Sequence, residues 1–359
     1  MNQKLITTLL KYKKIILVGW GTGWHIQPIV SLVKHIRNTH GIIDFTWIWW
    51  IDSQEEKTAK NDNIQFQSIP TLKLSTTKSF KILLYPSVLI QWILEARKKL
   101  KNLEKENNNI AVFSKWWPGS VAIGIAAWSL SIPLFIHESD TIPWRSNILL
   151  EKIATKVFLG FESAKQYFDA KKCEVVGQIL DPIFSVQPTK LPTYQATMAW
   201  NTNKPHILVI CGSQGAKTVF EAIIQQFSRN TDYEWIIALG KLNSEMKQDF
   251  DTIPNTQVLE WIEQTDIAHL IQDTDLAITR WSATTLAELT SFQNSESTIN
   301  NPQLIIIPLT LAARNHQFYN AKEYEKIGHT ILKQKDIKEL KNTVRTLLKI
   351  RSSHGTKKE

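Results

Sequence analysis

The feature that most constrains the fold of this chain is a unit of sequence that recurs along it: an apolar run, a loop and an amphipathic segment. The first unit spans 14–37, where KIILV precedes the loop GWGTGWH and a segment with apolar residues at helical spacing. This alternation predicts a mostly parallel sheet with helices on both faces. Before residue 178 the predicted strands are 14–18, 44–48, 109–113, 133–137, 156–160 and 173–177, and the predicted helices are 26–37, 86–105 and 120–130.

The alternation starts again at residue 206, after a polar stretch with two prolines. The later predicted strands are one that starts at 206 and those at 235–239, 256–262, 276–279 and 304–308. A chain of 359 residues exceeds the size at which one core usually keeps growing. We therefore predict two doubly wound, Rossmann-like α/β domains, 1–184 and 205–338, with a linker at 185–204 and a ligand cleft between the domains. Residues 339–359 are predicted to form a helix and a basic tail. The sequence does not decide whether this helix packs against the N-terminal domain.

Composition argues against several classes of protein. The two cysteines, Cys173 and Cys211, have no CxxC spacing, which argues against a disulfide framework or a zinc site. No apolar run approaches the roughly 18 residues of a membrane span. The nine histidines show no clustered spacing, and the D-x-D at Asp273–Asp275 reads as a turn that enters a strand. We therefore predict no metal and no cofactor.

The net charge of +9 is concentrated in the first part of the chain. Residues 1–170 carry 21 Lys and Arg against 13 Asp and Glu, whereas the rest carries 21 against 20. This asymmetry is typical of a protein that faces a membrane surface or a nucleic acid, although basic residues also serve solubility alone. The segment 78–99 has apolar residues flanked by lysines and an arginine, so it is either a surface anchor for membranes or a core helix with a solvated basic end.

Three loops each follow an apolar run and open a helical segment: 19–25, 213–215 and 282–285. Backbone amides at a helix N-terminus bind phosphate groups. In the third loop, serine and threonine hydroxyls add donors, and Glu288 lies one turn inside, where a carboxylate suits a ribose diol. One such loop is more often a simple helix cap, but three at strand ends indicate a phosphate-bearing ligand.

Five motifs in a fixed order extend this pattern: WGTGWH at 20–25, HESD..PW..N at 137–147, CGSQGA at 211–216, RWSATT..E at 280–288 and NHQ..NA at 315–321. Together they resemble the MurG-type glycosyltransferases, whose motifs read GGTGGH, HEQN..PG..N, GGSQGA, RSGALT..E and NHQ..NA. The resemblance runs from about Lys14 to Leu332. Asp140 stands where the family has asparagine, and Pro118 stands where it has an aromatic residue.

The resemblance implies a GT-B fold and an inverting, metal-independent reaction. The family transfers N-acetylglucosamine from UDP-N-acetylglucosamine to the 4-hydroxyl of undecaprenyl-diphosphoryl-N-acetylmuramyl-pentapeptide, which converts lipid I to lipid II in peptidoglycan synthesis. A peripheral position on the cytoplasmic face of the membrane follows, with anionic lipid and other cell-wall enzymes as partners and no nucleic acid.

The resemblance also implies roles for individual residues. His25 is the candidate base that removes the acceptor proton. The implied donor-binding residues are Thr22, Gly23, Ser213, Gln214, Ile262, Arg280, Ala283, Thr284, Thr285, Glu288, His316 and Gln317. The implied acceptor-binding residues are Glu138, Asp140 and Asn147.

Tryptophan is unusually frequent in this chain and glycine unusually rare. There are 14 tryptophans and 13 glycines, and the glycine share is about half the usual ~7%. Six tryptophans stand where the family has small residues, mostly glycine: Trp20, Trp24, Trp116, Trp117, Trp144 and Trp281. The UGA codon differs by one base from a glycine codon, and some bacteria read UGA as glycine. We therefore hypothesise that many printed tryptophans are glycines in the cell, although Trp128 and Trp235 fit as printed.

The alternative is that the tryptophans are real. Indoles at Trp20 and Trp24 would then fill the space of a phosphate or an acceptor head group, and Trp281 would crowd the donor diphosphate. Such a chain would be a non-catalytic relative that binds lipid or nucleotide. A GT-B enzyme with another lipid acceptor is a further alternative.

Overall fold

Two parallel β-sheets, one in each half of the chain, organise the protein. The computed structural model describes residues 3–19, 23–40, 43–69, 86–115, 118–186, 200–212, 215–280, 282–292, 301–309 and 316–355. The chain divides into two units, Met1–Asp181 and Pro182–Glu359, and each unit contains one sheet with its own core. The two α/β domains predicted from the sequence are therefore present.

The first unit contains a seven-stranded parallel sheet in the order β3-β2-β1-β4-β5-β6-β7. Its strands are β1 (Lys14–Gly19), β2 (Asp44–Trp50), β3 (Gln65–Ile69), β4 (Ile110–Lys115), β5 (Leu134–Glu138), β6 (Lys156–Leu159) and β7 (Cys173–Val175). Its helices are α1 (Gln3–Leu9), α2 (Gly23–His40), α3 (Gln54–Asn61), α4 (Pro86–Asn107), α5 (Pro118–Ser129) and α6 (Arg145–Glu151). Short 3-10 helices follow at Glu162–Tyr167 and Pro182–Ser185, the second lying at the start of the other unit.

The strands of this sheet are apolar because helices cover both of its faces. Every residue of β1 and β4 is buried, as expected for a parallel sheet flanked by crossover helices. Right-handed crossovers place α2 and α3 on one face and α4, α5 and α6 on the other. Contacts between α4 and α5 and between α5 and α6 agree with that arrangement.

The second unit contains a six-stranded parallel sheet in the order β10-β9-β8-β11-β12-β13. Its strands are β8 (His206–Ile210), β9 (Glu234–Ala238), β10 (Thr256–Leu259), β11 (Leu276–Thr279), β12 (Gln303–Ile306) and β13 (Thr330–Ile331). Its helices are α7 (Lys217–Phe227), α8 (Gln264–Asp273), α9 (Ala283–Leu289), α10 (His316–Glu325) and α11 (Leu340–Gly355), with 3-10 helices at Ser244–Thr252 and Gln334–Glu339.

The C-terminal helix packs within the second unit. Helix α11 contacts α7 and β11. Near its end, the Arg351 guanidinium donates to the carbonyl oxygens of Asp275 and Asn301, at 2.9 and 3.1 Å. The Nε atom of Arg351 also lies 3.3 Å from the Asp275 carboxylate. These contacts join the last helix to the edge of the sheet where β11 and β12 begin.

All eleven strands expected from the apolar runs are present, with boundaries shifted by a few residues. Two strands, β3 and β13, were not predicted, and no helix had been named at α1, α3, α6, α8 or α10. The predicted strand at 256–262 ends at Leu259. Of the predicted linker, 187–199 lies outside the described residues, and so does 293–300 of the polar stretch before β12.

Candidate active site

The candidate site of the first unit lies at the carboxyl edge of its sheet, where β1 and β4 are neighbours. The chain leaves β1 for one side and β4 for the other, so ligands are expected in the crevice between these two strand ends. Gly19, the last residue of β1, pairs with Lys115, the last residue of β4. His25 lies in the first turn of α2, directly after β1. Its side chain, and Thr22, lie outside the described part of the chain.

A buried carboxylate organises the loop from β5 to α6. One oxygen of Glu138 accepts the backbone N–H of Asp140 at 2.9 Å. The other accepts the backbone N–H of Trp144 at 3.0 Å and the Nδ2 amide of Asn147 at 2.9 Å. Glu138 and Asn147 are both 0% exposed. Their side chains therefore hold the loop in shape from inside, and the surface that the loop presents comes from its other residues.

Asp140 and Trp144 form a second contact within this loop. The indole N–H of Trp144 donates to Oδ2 of Asp140 at 2.9 Å. Trp144 is the one residue of the six tryptophans in question whose side chain the structure describes. Trp20, Trp116, Trp117 and Trp281 lie outside the described residues, and so does the side chain of Trp24.

A lysine and a histidine complete the buried cluster. Lys115 donates from Nζ to Oγ of Ser139 at 2.5 Å, and its Nζ lies 3.4 Å from Nδ1 of His137. The Nε2 atom of His137 lies 3.1 Å from the carbonyl oxygen of Gly177. Gln178 donates from Nε2 to the carbonyl oxygen of Ser139 at 2.8 Å.

Burial shifts the pKa values of this cluster. Burial lowers the pKa of Lys115 to about 8, against the opposing effect of the carboxylates of Glu138 and Asp140. Burial, with the nearby charge of Asp140, raises the pKa of Glu138 to about 8. Burial and the charge of Lys115 hold the pKa of His137 well below its usual value. His137 is therefore a neutral imidazole at physiological pH.

In the second unit, the corresponding crevice lies between the carboxyl ends of β8 and β11. After β8 the chain passes Cys211 and Gly212 and reaches Gly215, whose N–H donates to the Gly212 carbonyl at 2.9 Å. Gly215 has φ +70°, and a Cβ atom on it would lie 1.9 Å from the carbonyl oxygen of Leu239. This turn therefore requires glycine before α7 can begin. Ser213 and Gln214 lie outside the described residues.

A buried arginine directly follows β11, and none of the described residues pairs with it. Arg280 is 9% exposed, and among the described residues no hydrogen bond or ion pair of its guanidinium is found. Burial lowers the pKa of Arg280, with the Cys211 thiol close enough to affect it. Burial raises the pKa of Cys211 to about 12, so this thiol stays uncharged and cannot balance the guanidinium. A buried cation of this kind is costly unless an anion pairs with it.

Helix α9 begins directly beside Arg280. Ser282 caps the helix, because its Oγ accepts the backbone N–H of Thr285 at 3.4 Å. Thr284, Thr285 and Glu288 are buried to 5% exposure or less, and so is Ala283. The Oγ1 atom of Thr285 has no hydrogen-bond partner among the described residues.

The remaining donor candidates follow neighbouring strands at the same edge. Ile262 is buried between the end of β10 and the start of α8. His316 and Gln317 open α10, which follows β12, and their side chains lie outside the described residues. The helices α7, α9 and α10 thus follow the adjacent central strands β8, β11 and β12.

The D-x-D motif occupies a different part of the second unit. Asp273 ends α8, and its carbonyl oxygen lies 2.8 Å from Nδ1 of His206. Asp275 precedes β11 and accepts the backbone N–H of His206 at 2.9 Å. Both residues lie at the amino edge of the sheet, away from the strand ends where ligands are expected.

Three residues of these sites were not singled out from the sequence: Lys115, Ser139 and Gln178. Lys115 had one available signal, since it ends a buried strand directly before an expected small-residue stretch. The neighbouring strands β5, β6 and β7 bring Ser139 and Gln178 together. No local sequence pattern predicts that contact.

Two family models match the chain. The glycosyltransferase family 28 N-terminal domain matches residues 15–159, and the glycosyltransferase family 28 C-terminal domain matches residues 206–359. A protein of Thermosipho melanesiensis is 30% identical over 349 residues, which cover 96% of this chain and 93% of that protein. The chain belongs to glycosyltransferase family 28.

Relatives in family 28 carry one name. The Thermosipho protein and a relative from Sulfurihydrogenibium, 28% identical over 90% of this chain and 86% of its own, are both called UDP-N-acetylglucosamine--N-acetylmuramyl-(pentapeptide) pyrophosphoryl-undecaprenol N-acetylglucosamine transferase.

Solved structures share the fold. MurG of Acinetobacter baumannii superposes with a TM-score of 0.68 at 24% identity, over 94% of this chain and 92% of that one. A UDP-GlcNAc 2-epimerase of Neisseria meningitidis superposes with a TM-score of 0.62 at 13% identity, over 93% and 91% of the two chains. The predicted GT-B fold class is confirmed.

Proposed function

We propose that this family 28 glycosyltransferase transfers N-acetylglucosamine from UDP-N-acetylglucosamine to the 4-hydroxyl of a polyprenyl-diphosphate-linked N-acetylmuramyl-pentapeptide, with inversion at the anomeric carbon. The observation that carries the proposal is Arg280, a buried cation without an anionic partner among the described residues, directly beside the N-terminus of α9. A donor diphosphate would supply negative charge to pair with this guanidinium. The name shared by the family 28 relatives supports the choice of donor and acceptor.

On the donor side, the proposed role of the second unit is to stabilise the leaving UDP. Negative charge develops on the diphosphate as the glycosidic bond breaks, and preorganised donors reduce the barrier to that step. Arg280, the amides that open α9, and the loop around Ser213 supply such donors. Glu288 would accept hydrogen bonds from the ribose hydroxyls. We assign the uracil to the backbone near Ile262, and the sugar to His316 and Gln317.

On the acceptor side, the reaction needs a base for the attacking hydroxyl. Two histidines belong to the carboxyl edge of the first sheet, His25 and His137. His137 is 0% exposed, and its two ring nitrogens face Lys115 and the Gly177 carbonyl. Because this ring is occupied on both sides, we assign the base to His25. The loop that Glu138 organises, which includes Asp140, would form part of the acceptor site.

A peripheral position on the membrane follows from the proposed lipid acceptor. Ile90 and Leu94 on α4 are 55% and 61% exposed, and Trp128 at the end of α5 is 60% exposed. Arg97 links the two helices, since its Nε donates to Oγ of Ser129 at 3.0 Å. Among the described residues, no helix is both long enough and apolar enough to cross a bilayer. We propose that this apolar and basic face of α4 and α5 rests on anionic lipid on the cytoplasmic side.

The transfer reaction tests the proposal directly. Radiolabelled UDP-N-acetylglucosamine would be incubated with the lipid-linked muramyl-pentapeptide, and the product identified by mass. Two versions should be compared: the printed chain, and a chain with Trp20→Gly, Trp24→Gly and Trp281→Gly. We expect transfer by the glycine version and at least tenfold slower transfer by the printed chain, because indoles at these positions would compete with the diphosphates for space. Trp200→Gly, at the amino edge of the second sheet where the Trp200 ring stacks on His206, is the matched control.

Other results would separate the alternatives. Transfer to a different polyprenyl diphosphate, but not to the muramyl lipid, would indicate another GT-B enzyme. UDP binding without transfer by either version would indicate a non-catalytic relative. The mass of the native peptide 15–34, taken from the organism's own cells, would report independently whether positions 20 and 24 hold tryptophan or glycine.

A further inference from the structure

Lys115 is a buried cation that the proposed chemistry does not use. It ends β4 at the carboxyl edge of the first sheet and is 3% exposed. Lysine is almost never buried to this degree unless it is paired, because removing an ammonium ion from water is costly. The burial of the Lys115 ammonium, next to Gly19 of β1, therefore needs a structural or functional explanation.

The contacts of Lys115 show what the ammonium does. A carbonyl oxygen can only accept, so the 3.1 Å contact with Gly177 requires that Nε2 of His137 carries the proton. Nδ1 of the neutral ring then offers a lone pair toward Nζ of Lys115, at 3.4 Å. The same Nζ donates to Ser139 at 2.5 Å. The ammonium thus faces the lone pair of the tautomer that the Gly177 carbonyl selects, and it also holds the Ser139 hydroxyl.

The ammonium also faces the acidic residues of the loop. The carboxylates of Glu138 and Asp140 are close enough to favour the charged form of Lys115. Glu138 in turn accepts the N–H groups of Asp140 and Trp144. Strand β4 is therefore joined by charge and by hydrogen bonds to the start of the β5–α6 loop.

We propose that Lys115 is a positioning residue for acceptor binding: its ammonium, through Ser139 and His137, holds the loop 138–147 in the form that receives the lipid-linked sugar. The proposal rests on the proposed function, because it assigns that loop to the acceptor. It predicts a large effect on the acceptor and little effect on the nucleotide sugar, since Lys115 belongs to the first unit and every donor candidate except Thr22 and Gly23 belongs to the second.

Steady-state kinetics with each substrate varied in turn test this separation. Lys115→Met keeps the length of the side chain and removes its charge and donors. We expect the KM for the acceptor to rise about ten- to hundredfold, as for the loss of a charge-assisted hydrogen bond, and the KM for UDP-N-acetylglucosamine to stay within twofold. Lys171→Met, the same change at an exposed lysine of the same unit, is the control. An unchanged acceptor KM, or equal rises for both substrates, would overturn the proposal.

A double-mutant cycle with Ser139→Ala tests the route. If Lys115 acts through Ser139, the double variant should be no weaker for the acceptor than Lys115→Met alone, whereas additive losses would contradict the assigned contact. Ser139→Ala retains the Lys115 ammonium. It can therefore be used alone to measure the effect on the acceptor KM if Lys115→Met fails to fold. In that case an acceptor KM equal to that of the unchanged chain would overturn the proposal.

A measurement without turnover keeps the inference separate from the proposed function. In protein labelled with ¹⁵N-histidine, the His137 signal, assigned by its loss in His137→Gln, should report a neutral ring protonated on Nε2. Lys115→Met should shift its Nδ1 resonance, while Lys171→Met should not. Absence of transfer by the unchanged chain would count against the proposed function only. An Nδ1 chemical shift that is the same in Lys115→Met as in the unchanged chain would overturn the inference.

Discussion

Gly215 is the residue at which the donor loop depends most directly on backbone geometry. Its φ of +70° is in the region that side chains rarely adopt, and a Cβ atom would also collide with the Leu239 carbonyl oxygen. Gly328 has φ +98°, but a Cβ atom there would meet nothing within 4 Å. Substitution of Gly328 therefore reports backbone strain alone, whereas substitution of Gly215 reports backbone strain together with a steric collision.

We expect Gly328→Ala to lower the free energy of unfolding by about 1–2 kcal/mol, the cost of placing alanine in a left-handed conformation. Gly215→Ala should cost clearly more and should also weaken UDP binding, because the loop must move away from Leu239. Urea denaturation and calorimetric titration with UDP measure the two effects. Equal losses of stability in the two variants would mean that the loop relaxes around the added methyl group.

The residues of the candidate sites differ in how far sequence could reveal them. Ser282 and Gly215 belong to local signals, a cap and a turn next to a helix, and both were visible as part of loops. Lys115 was not, because its role depends on Ser139 and His137, which follow it by more than 20 positions and reach it only through strand pairing. Long-range contacts of this kind produce no periodic pattern in the sequence, so they could not be predicted from it.

Both unpredicted strands, β3 and β13, lie at edges of the sheets, whereas the other two edge strands, β7 and β10, were predicted. β3 reads QFQSI, with alternate polar residues, and only its last residue is buried. β13 has two residues. These two strands are partly exposed, so their sequences lack the continuous apolar run that marked β1, β8 and β11. The central strands carry the candidate sites. They are buried on both faces, and this burial gives the continuous apolar runs from which they were predicted.

Helix α4 gives a prediction about membrane binding. Ile90 and Leu94 are one turn apart and share an exposed face. We expect Ile90→Glu with Leu94→Glu to reduce binding to vesicles of anionic phospholipid at least tenfold, because two apolar groups are lost and two negative charges are gained. Cosedimentation with the vesicles measures the change. Ile327→Glu, at a site 54% exposed in the second unit, should bind like the unchanged chain; equal binding by all three proteins would exclude α4 as the contact.

At the scale of the whole molecule, every strand pairs only with strands of its own unit. A ligand that binds one sheet edge therefore stabilises that sheet first. We expect UDP to slow amide hydrogen exchange in 207–210 and 276–279 and to leave 110–115 unchanged. Exchange measured by mass spectrometry would show this, and Arg280→Gln should abolish the slowing, whereas Arg229→Gln, at an exposed position, should not. Protection in 110–115 by UDP alone would contradict the assignment of the nucleotide to the second unit.

The separation of the two sheets also bears on synthesis of the chain. All strands of the first sheet are contained in 14–175, so the ribosome has synthesised every pairing partner of that sheet before it begins the second. At about 5–20 residues per second, the remaining residues take roughly 10 to 40 seconds to appear. The first half thus has time to complete its hydrogen-bond ladder, including the pairing of β1 with the distant β4, while most of the other half is still untranslated.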